Sequence, residues 1–272
     1  MRRASGAINL RGMAMERILE PEIMDDRDAD AAYARADFSD SNQTFADRLA
    51  AELERVSASG GERRAPRAAP GAGAHAASRH GRSLRILDLG CGPADVTIRI
   101  ARKLHHAQVT GVDGAEQMLR LAREAVRSAE LTERIELHLG RVPGLDLPEH
   151  GFDAVVSKDM LHHLPDPHGL WTECLRLGRS GGLLQVMDLI RPSSPLEARE
   201  IVERVASREH PLLKADFYHS LCAAFTPEEV RAQLAAAGLA LGVERVGDRH
   251  WLVRGVLGGA AGVSGGAATE RG

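Results

Sequence analysis

Aromatic side chains are scarce, with two Trp, two Tyr and five Phe in 272 residues. A surface that stacks nucleic-acid bases interleaves aromatics with Lys and Arg. The one compact basic cluster, ERRAPR at 62–67, has no aromatic beside it, and a net charge of -3 gives no bulk attraction to phosphate. No nucleic-acid partner is expected. Cysteine is also sparse. Cys91, Cys174 and Cys222 are an odd, scattered set that suits a reducing compartment and no disulfide framework. No apolar run approaches the length of a membrane span, so no membrane partner is expected. The opening MRRASGAINLRG has arginines without the apolar stretch of a signal peptide. A cytoplasmic protein is the simplest reading, with Met13 or Met15 as alternative starts to Met1, since helical patterning begins only there.

What the sequence does carry is LRILDLGCGPADVT at 84–97. Leu84, Ile86, Leu87 and Leu89 form a short apolar run, the pattern of a strand buried on both faces of a parallel sheet. Gly90 and Gly92 follow at once, and glycine lets a ligand approach the main chain closely. Val96, Ile98, Ile100, Ala101 and Leu104 are then spaced as on one face of a helix. In an open α/β sheet such a strand-to-helix turn lies at the carboxyl edge, where ligands bind. A glycine pair alone is equally compatible with an ordinary tight connection.

The turn lacks the marks of a phosphate binder. The dinucleotide pattern GxGxxG would need glycine at Asp95, and the GK[ST] ending is absent. A carboxylate at Asp88 would repel a phosphate but suits a ligand carrying an ammonium and a sulfonium. A nicotinamide oxidoreductase is therefore set aside. The stretch Asp88-Leu89-Gly90-Cys91-Gly92-Pro93-Ala94 resembles the first motif of the class I methyltransferases that use S-adenosylmethionine, with Ala94 in place of a third glycine. The resemblance implies that Asp88, Gly90, Cys91 and Gly92 hold that methyl donor.

Later segments follow the same order. AQVTGV at 107–112 reads as a second strand ending in Asp113, placed to accept hydrogen bonds from ribose hydroxyls. A helix cap for the segment from Gly114 is the alternative for Asp113. In the resembling family this acid binds the ribose, and Met118 packs on the adenine. RIELHL at 134–139 reads as a third strand leading into Gly140-Arg141-Val142. Related enzymes often carry an acid there, so Arg141 is a departure; Arg141 and Val142 are assigned to the donor wall. Asp146 is either a stand-in or a turn residue. FDAVVS at 152–157 reads as a fourth strand, with Ser157 at its end. The following KDMLHHLPDP resembles the fourth motif of small-molecule methyltransferases. Strands 1 and 4 flank the crevice where strand order reverses. Asp159, His162 and His163 are the candidates for the acceptor side, either histidine being suited to act as a base near neutral pH. Burial with satisfied hydrogen bonds is the alternative for each. No metal site is expected, because the histidine pair with Asp159 lacks ligand spacing.

The expected fold is a Rossmann-like, doubly wound, mostly parallel α/β sheet of seven strands with helices on both faces. Its order, 3-2-1-4-5-7-6, is implied by the resemblance. Residues 1–56 read as an N-terminal helical segment that could lid the donor, helical from Glu16–Pro21 onward through Tyr33 and again from Phe45 to Val56, with DFSDSNQ as the polar loop between them and Tyr33 as the lid tyrosine. Residues 57–83 read as a flexible Ala/Gly/Pro/Arg-rich insertion, 84–257 as the core, and 258–272 as a disordered tail. Within the core, 191–224 reads as a cap, with Phe217, Tyr218 and His219 as candidates to cover the acceptor. Packing or a dimer contact is the alternative for that insertion. Thr226-Pro227-Glu228-Glu229 is a capped helix start. The expected activity is methyl transfer to a small-molecule acceptor by in-line displacement at the sulfonium methyl. A donor-binding accessory protein without turnover is the alternative. The acceptor and the oligomeric state are not legible.

Overall fold

The computed structural model describes residues 15–20, 39–60 and 83–258. Seven strands form one sheet: β1 Leu84–Leu89, β2 Ala107–Asp113, β3 Ile135–Leu139, β4 Phe152–Lys158, β5 Gly178–Leu189, β6 Gly242–Val246 and β7 His250–Val256. Their order is β3-β2-β1-β4-β5-β7-β6, as expected. β1 to β5 pair in parallel, and β7 lies antiparallel to both β5 and β6. The order reverses between β1 and β4, which opens a crevice at their carboxyl ends.

Among the described residues seven helices accompany the sheet: α1 Ser39–Gly60, α2 Asp95–Lys103, α3 Glu116–Ser128, α4 His168–Leu177, α5 Pro195–Val205, α6 Pro211–Ala223 and α7 Pro227–Ala236. Side chains alternate across each strand. Ile86, Val109, Val156, Met187 and Leu252 therefore pack with α1, α2 and α3 on one face, through Phe45, Leu49, Ile98, Ile100, Ala122 and Val126. Leu87, Val155, Val186 and Trp251 pack on the other with α4 and α7, through Leu170, Trp171, Val230 and Leu234. Burial of both faces explains why β4 is apolar or enclosed along its whole length. The Thr226–Glu229 capping box starts α7 as read from sequence.

The N-terminal region differs from expectation. Met15–Glu20 is not helical. Its polar groups bond outward to distant segments instead: Arg17 Nε to the Ala223 carbonyl at 2.6 Å, and Ile18 N to the Cys222 carbonyl at 3.1 Å. Pro21 also disfavours a helical Glu20. The expected loop DFSDSNQ is helical from Ser39 onward, with Asp40 favourable in the first turn of α1. α1 also continues to Gly60, past the expected boundary at Val56. It lies against the sheet face, held by Gln185 Nε2 donating to the Phe45 carbonyl at 2.9 Å. Tyr33, residues 61–82 and residues 259–272 lie outside the described residues.

Candidate active site

One half of the crevice, where the donor is expected, is built from two neighbouring strand ends. Gly90 and Gly92 adopt φ of +74° and +52°, where a side chain is disfavoured. A Cβ on Gly90 would fall 2.3 Å from Met160 Cγ, so this main chain passes directly against that side chain. A Cβ on Gly92 would meet no heavy atom within 4 Å, leaving bare backbone beside open space. Ala94 holds φ +69° while fully buried. The missing third glycine is thus tolerated at a cost of about 1–2 kcal/mol.

Asp88 is buried and accepts from Thr97 Oγ1 at 2.6 Å. Burial pushes its carboxyl up to about 6; Asp113 adds to this, while the Thr97 hydroxyl and the Lys158 ammonium oppose it. Asp113 accepts from Gly92 N at 2.8 Å on one oxygen and from Ala115 N at 2.9 Å on the other. These bonds tie the glycine turn to the start of α3, and the helix itself has Ala115 as its cap with no side-chain capping bond. Each Asp113 oxygen keeps a lone pair for a ligand hydroxyl. Gly114 lies under the Arg141 side chain, with a Cβ there falling 3.1 Å from Arg141 Cγ. Met118 is half-buried in the first turn of α3, and Val142 packs on the core beside Leu145. Cys91 is a buried thiol pushed far above its ordinary pKa by burial. Ser157 donates to the Leu89 carbonyl at 2.9 Å and so ties β4 to β1. Exposed backbone at Gly92, two carboxylates at adjacent strand ends and the free lone pairs of Asp113 fit a cationic ligand that carries ribose hydroxyls.

The other half gathers charged side chains from distant segments. Asp159, just past β4, holds φ +53°, a strained conformation for a residue with a side chain. Its main-chain N–H donates to the Met187 carbonyl at 2.9 Å. Its carboxylate contacts Lys158 Nζ and lies 3.5 Å from His250 Nε2, and Oδ1 has no hydrogen-bond partner among the described residues. Burial alone would raise its pKa, but Lys158 and His250 hold it well below the carboxylate range.

A 3-10 turn, Leu161–His163, follows. His162 is buried and doubly tied to Asp188 at the end of β5: Nδ1 to Oδ1 at 2.6 Å, and its main-chain N–H to Oδ2 at 3.1 Å. Burial disfavours the imidazolium, yet the Asp188 carboxylate outweighs it and raises His162 to about 9. His162 is thereby a satisfied buried group with its Nδ1 occupied. His163 is exposed; its ring lies 4.1 Å from that of His162, and its Nδ1 contacts Glu20 Oε2. Arg17 Nη2 donates to the carbonyls of His162 and Leu164, both at 2.9 Å, and its guanidinium lies 3.9 Å from the centre of the Phe225 ring. Met15–Glu20 is therefore a strap across this turn. The inserted helices α5 and α6 follow β5 at the same edge, and α6 packs on the turn. Phe217 and Tyr218 pack toward α5, while His219 is exposed and, with Tyr218, Arg199 and Lys214, lines a cavity of about 270 Å³.

The structure thus brings Asp88, Gly90, Gly92, Asp113 and Gly114 to one side of the crevice and Asp159, His162 and His163 to the other. Lys158, Asp188, His250, Arg17 and Glu20 were not singled out from sequence. Asp188 left a readable signal, a lone acid next to the end of the run GGLLQVMDL, whereas Arg17 and Glu20 left none.

Residues 86–182 match the family described as Methyltransferase domain. The 27-O-demethylrifamycin SV methyltransferase of Amycolatopsis mediterranei is 28% identical over 155 residues, 57% of this chain and 53% of the relative. A demethylmenaquinone methyltransferase of Listeria welshimeri is 35% identical over 111 residues, 40% of this chain and 47% of the relative. A solved S-adenosylmethionine-dependent methyltransferase from Aquifex aeolicus aligns with a TM-score of 0.48 at 19% identity, covering 63% of this chain and 81% of the other. The chain spans about half the length of the curated relatives it matches. The motif order, sheet order and crevice above lie where residues 86–182 match a methyltransferase domain, and the chain is similar over this stretch to methyltransferases of small molecules.

Proposed function

We propose that this protein transfers the methyl group of S-adenosylmethionine to a small-molecule acceptor by in-line displacement. The observation that carries this is the donor half: bare backbone at Gly92, with Asp88 and Asp113 at adjacent strand ends. The donor supplies an activated methyl on a cationic sulfur, so the chain has mainly to bind, orient and exclude water. Asp113 would hold the ribose through its free lone pairs. Asp88, in low dielectric, would offer its negative charge to the donor's cationic groups. Met118, Arg141 and Val142 would wall the adenine.

On the acceptor side, Asp159, His162 and His163 would shape the pocket. The pairing of His162 with Asp188 supports a positioning role for it, fixing the 3-10 turn. His163, which is exposed, is better placed to meet an acceptor, while the Asp159 carboxylate is ion-paired with Lys158 and His250. The strap and α6 close over the turn and would limit water. The two relatives are named for different acceptors, a rifamycin and a menaquinone precursor, so neither acceptor is carried over by itself. A cytoplasmic setting is supported by three buried free thiols, Cys91, Cys174 and Cys222. No helix among the described residues is long and apolar enough to cross a membrane.

The test is transfer of isotopically labelled methyl from S-adenosylmethionine to a panel of small molecules that starts with those two precursors. Transfer to at least one acceptor, abolished by Gly90→Ala, is expected. Donor binding with no transfer to any panel member would turn the reading to a donor-binding protein without turnover.

A further inference from the structure

Among the described residues, Glu20, His162 and His163 each offer one potential ligand atom, and the three atoms lie within 4.8 Å of one another. Two come from the 3-10 turn after β4 and the third from a strap more than 140 residues earlier in the chain. Two imidazoles and one carboxylate are the donor set of open zinc sites and of non-haem iron sites. Hard cations such as magnesium and calcium favour all-oxygen sets instead.

The surroundings are those of a supported ligand set. Asp188 Oδ1 sits 2.6 Å from His162 Nδ1, which leaves Nε2 as the nitrogen available to a metal. A carboxylate on the far nitrogen is the usual outer partner of a ligating histidine. Glu20 is held too: Ser220 Oγ donates to Oε1 at 2.6 Å, leaving Oε2 toward His163. The strap that carries Glu20 is anchored at four further points. The Met15 carbonyl accepts from Arg191 Nε at 2.8 Å, Ile18 N donates to Cys222, and Arg17 binds both Ala223 and the turn itself. Neither Glu20 nor the turn has to travel to reach the other.

We infer that Glu20, His162 and His163 form a binding site for a divalent transition metal that clips the N-terminal strap to the turn beside the acceptor pocket. Three protein ligands leave a coordination position for water or for an acceptor oxygen. Metal entry inserts the cation between the Glu20 carboxylate and the imidazoles and releases any proton held on His162 Nε2 or on the ligating nitrogen of His163. This goes beyond methyl transfer and does not depend on it.

The experiment titrates Zn²⁺ into the full chain in competition with a chromophoric chelator, and records the visible spectrum of the Co²⁺-loaded chain. One equivalent bound is expected, at least tenfold weaker in Glu20→Gln and in His163→Ala and unchanged in His219→Ala. Co²⁺ should give the intense visible bands of a four- or five-coordinate site. His163 is exposed, so its replacement leaves the fold intact. Absence of a bound equivalent in the wild type would overturn the site, as would binding that Glu20→Gln and His163→Ala leave unchanged. Either result would stand whether or not the chain transfers methyl groups.

Discussion

The two halves of the crevice are made in different ways. The donor half is a backbone device: a turn with φ +74° and +52°, pinned by carboxylates from strands that neighbour each other in the sheet. The acceptor half is a side-chain device: Asp188 on His162, Glu20 on His163, Lys158 and His250 on Asp159, and Arg17 across the turn. Backbone devices are fixed by sterics and respond to volume. Buried charge pairs are fixed by mutual neutralisation and respond to loss of a partner. On the proposed reading, the first half would hold the donor through backbone shape and the second would meet the acceptor through charge pairs that can each be broken singly.

Substitutions in each half should separate these mechanisms. Asp188→Ala removes the counter-charge of a buried imidazole and the acceptor for two backbone N–H groups, of His162 and Leu189. A loss of about 3–5 kcal/mol is expected in denaturant unfolding. Gly90→Ala should come next, at about 2–4 kcal/mol, from a left-handed Ala plus collision with Met160. Its denaturation midpoint should fall with no change in the m-value.

Asp88 sets a pH dependence. Its folded pKa of about 6 lies above the ordinary value of 3.8, so its contribution to stability declines as pH rises between those values and levels off above. Donor binding runs the opposite way, since a cationic ligand favours the carboxylate. Affinity should weaken as pH falls through about 6, and Asp88→Asn should flatten that profile while leaving the fold at least as stable at pH 7. Titrations from pH 5 to 8 would check this; a profile that Asp88→Asn leaves unchanged would remove Asp88 from the donor site. The smallest effect is expected for Ala94→Gly. Relief at φ +69° and the loss of a buried methyl nearly offset one another, leaving a change within about 1 kcal/mol by thermal unfolding.

The same division explains what could be read from the chain. The strands themselves, the glycine turn, Asp113 and the α7 capping box follow from signals local in sequence, where periodicity and turn chemistry act over a few residues, whereas the strand order came from the resemblance. The placement of Asp159, His162 and His163 at one edge was legible for the same reason. Their partners were not, because Glu20 and Arg17 reach the turn only through the tertiary fold. The same outward bonding replaced the expected helix at Glu16–Pro21 with a strap, as Arg17 and Ile18 find carbonyls on α6 rather than on their own chain.

The most direct measurement is a calorimetric titration of S-adenosylmethionine and S-adenosylhomocysteine into the wild type and Asp113→Ala, with NADH as control. Binding of both sulfur ligands, weakened at least tenfold by the substitution, and no binding of NADH are expected. Absence of binding to the wild type, or affinity that Asp113→Ala leaves intact, would contradict the assignment of the donor half.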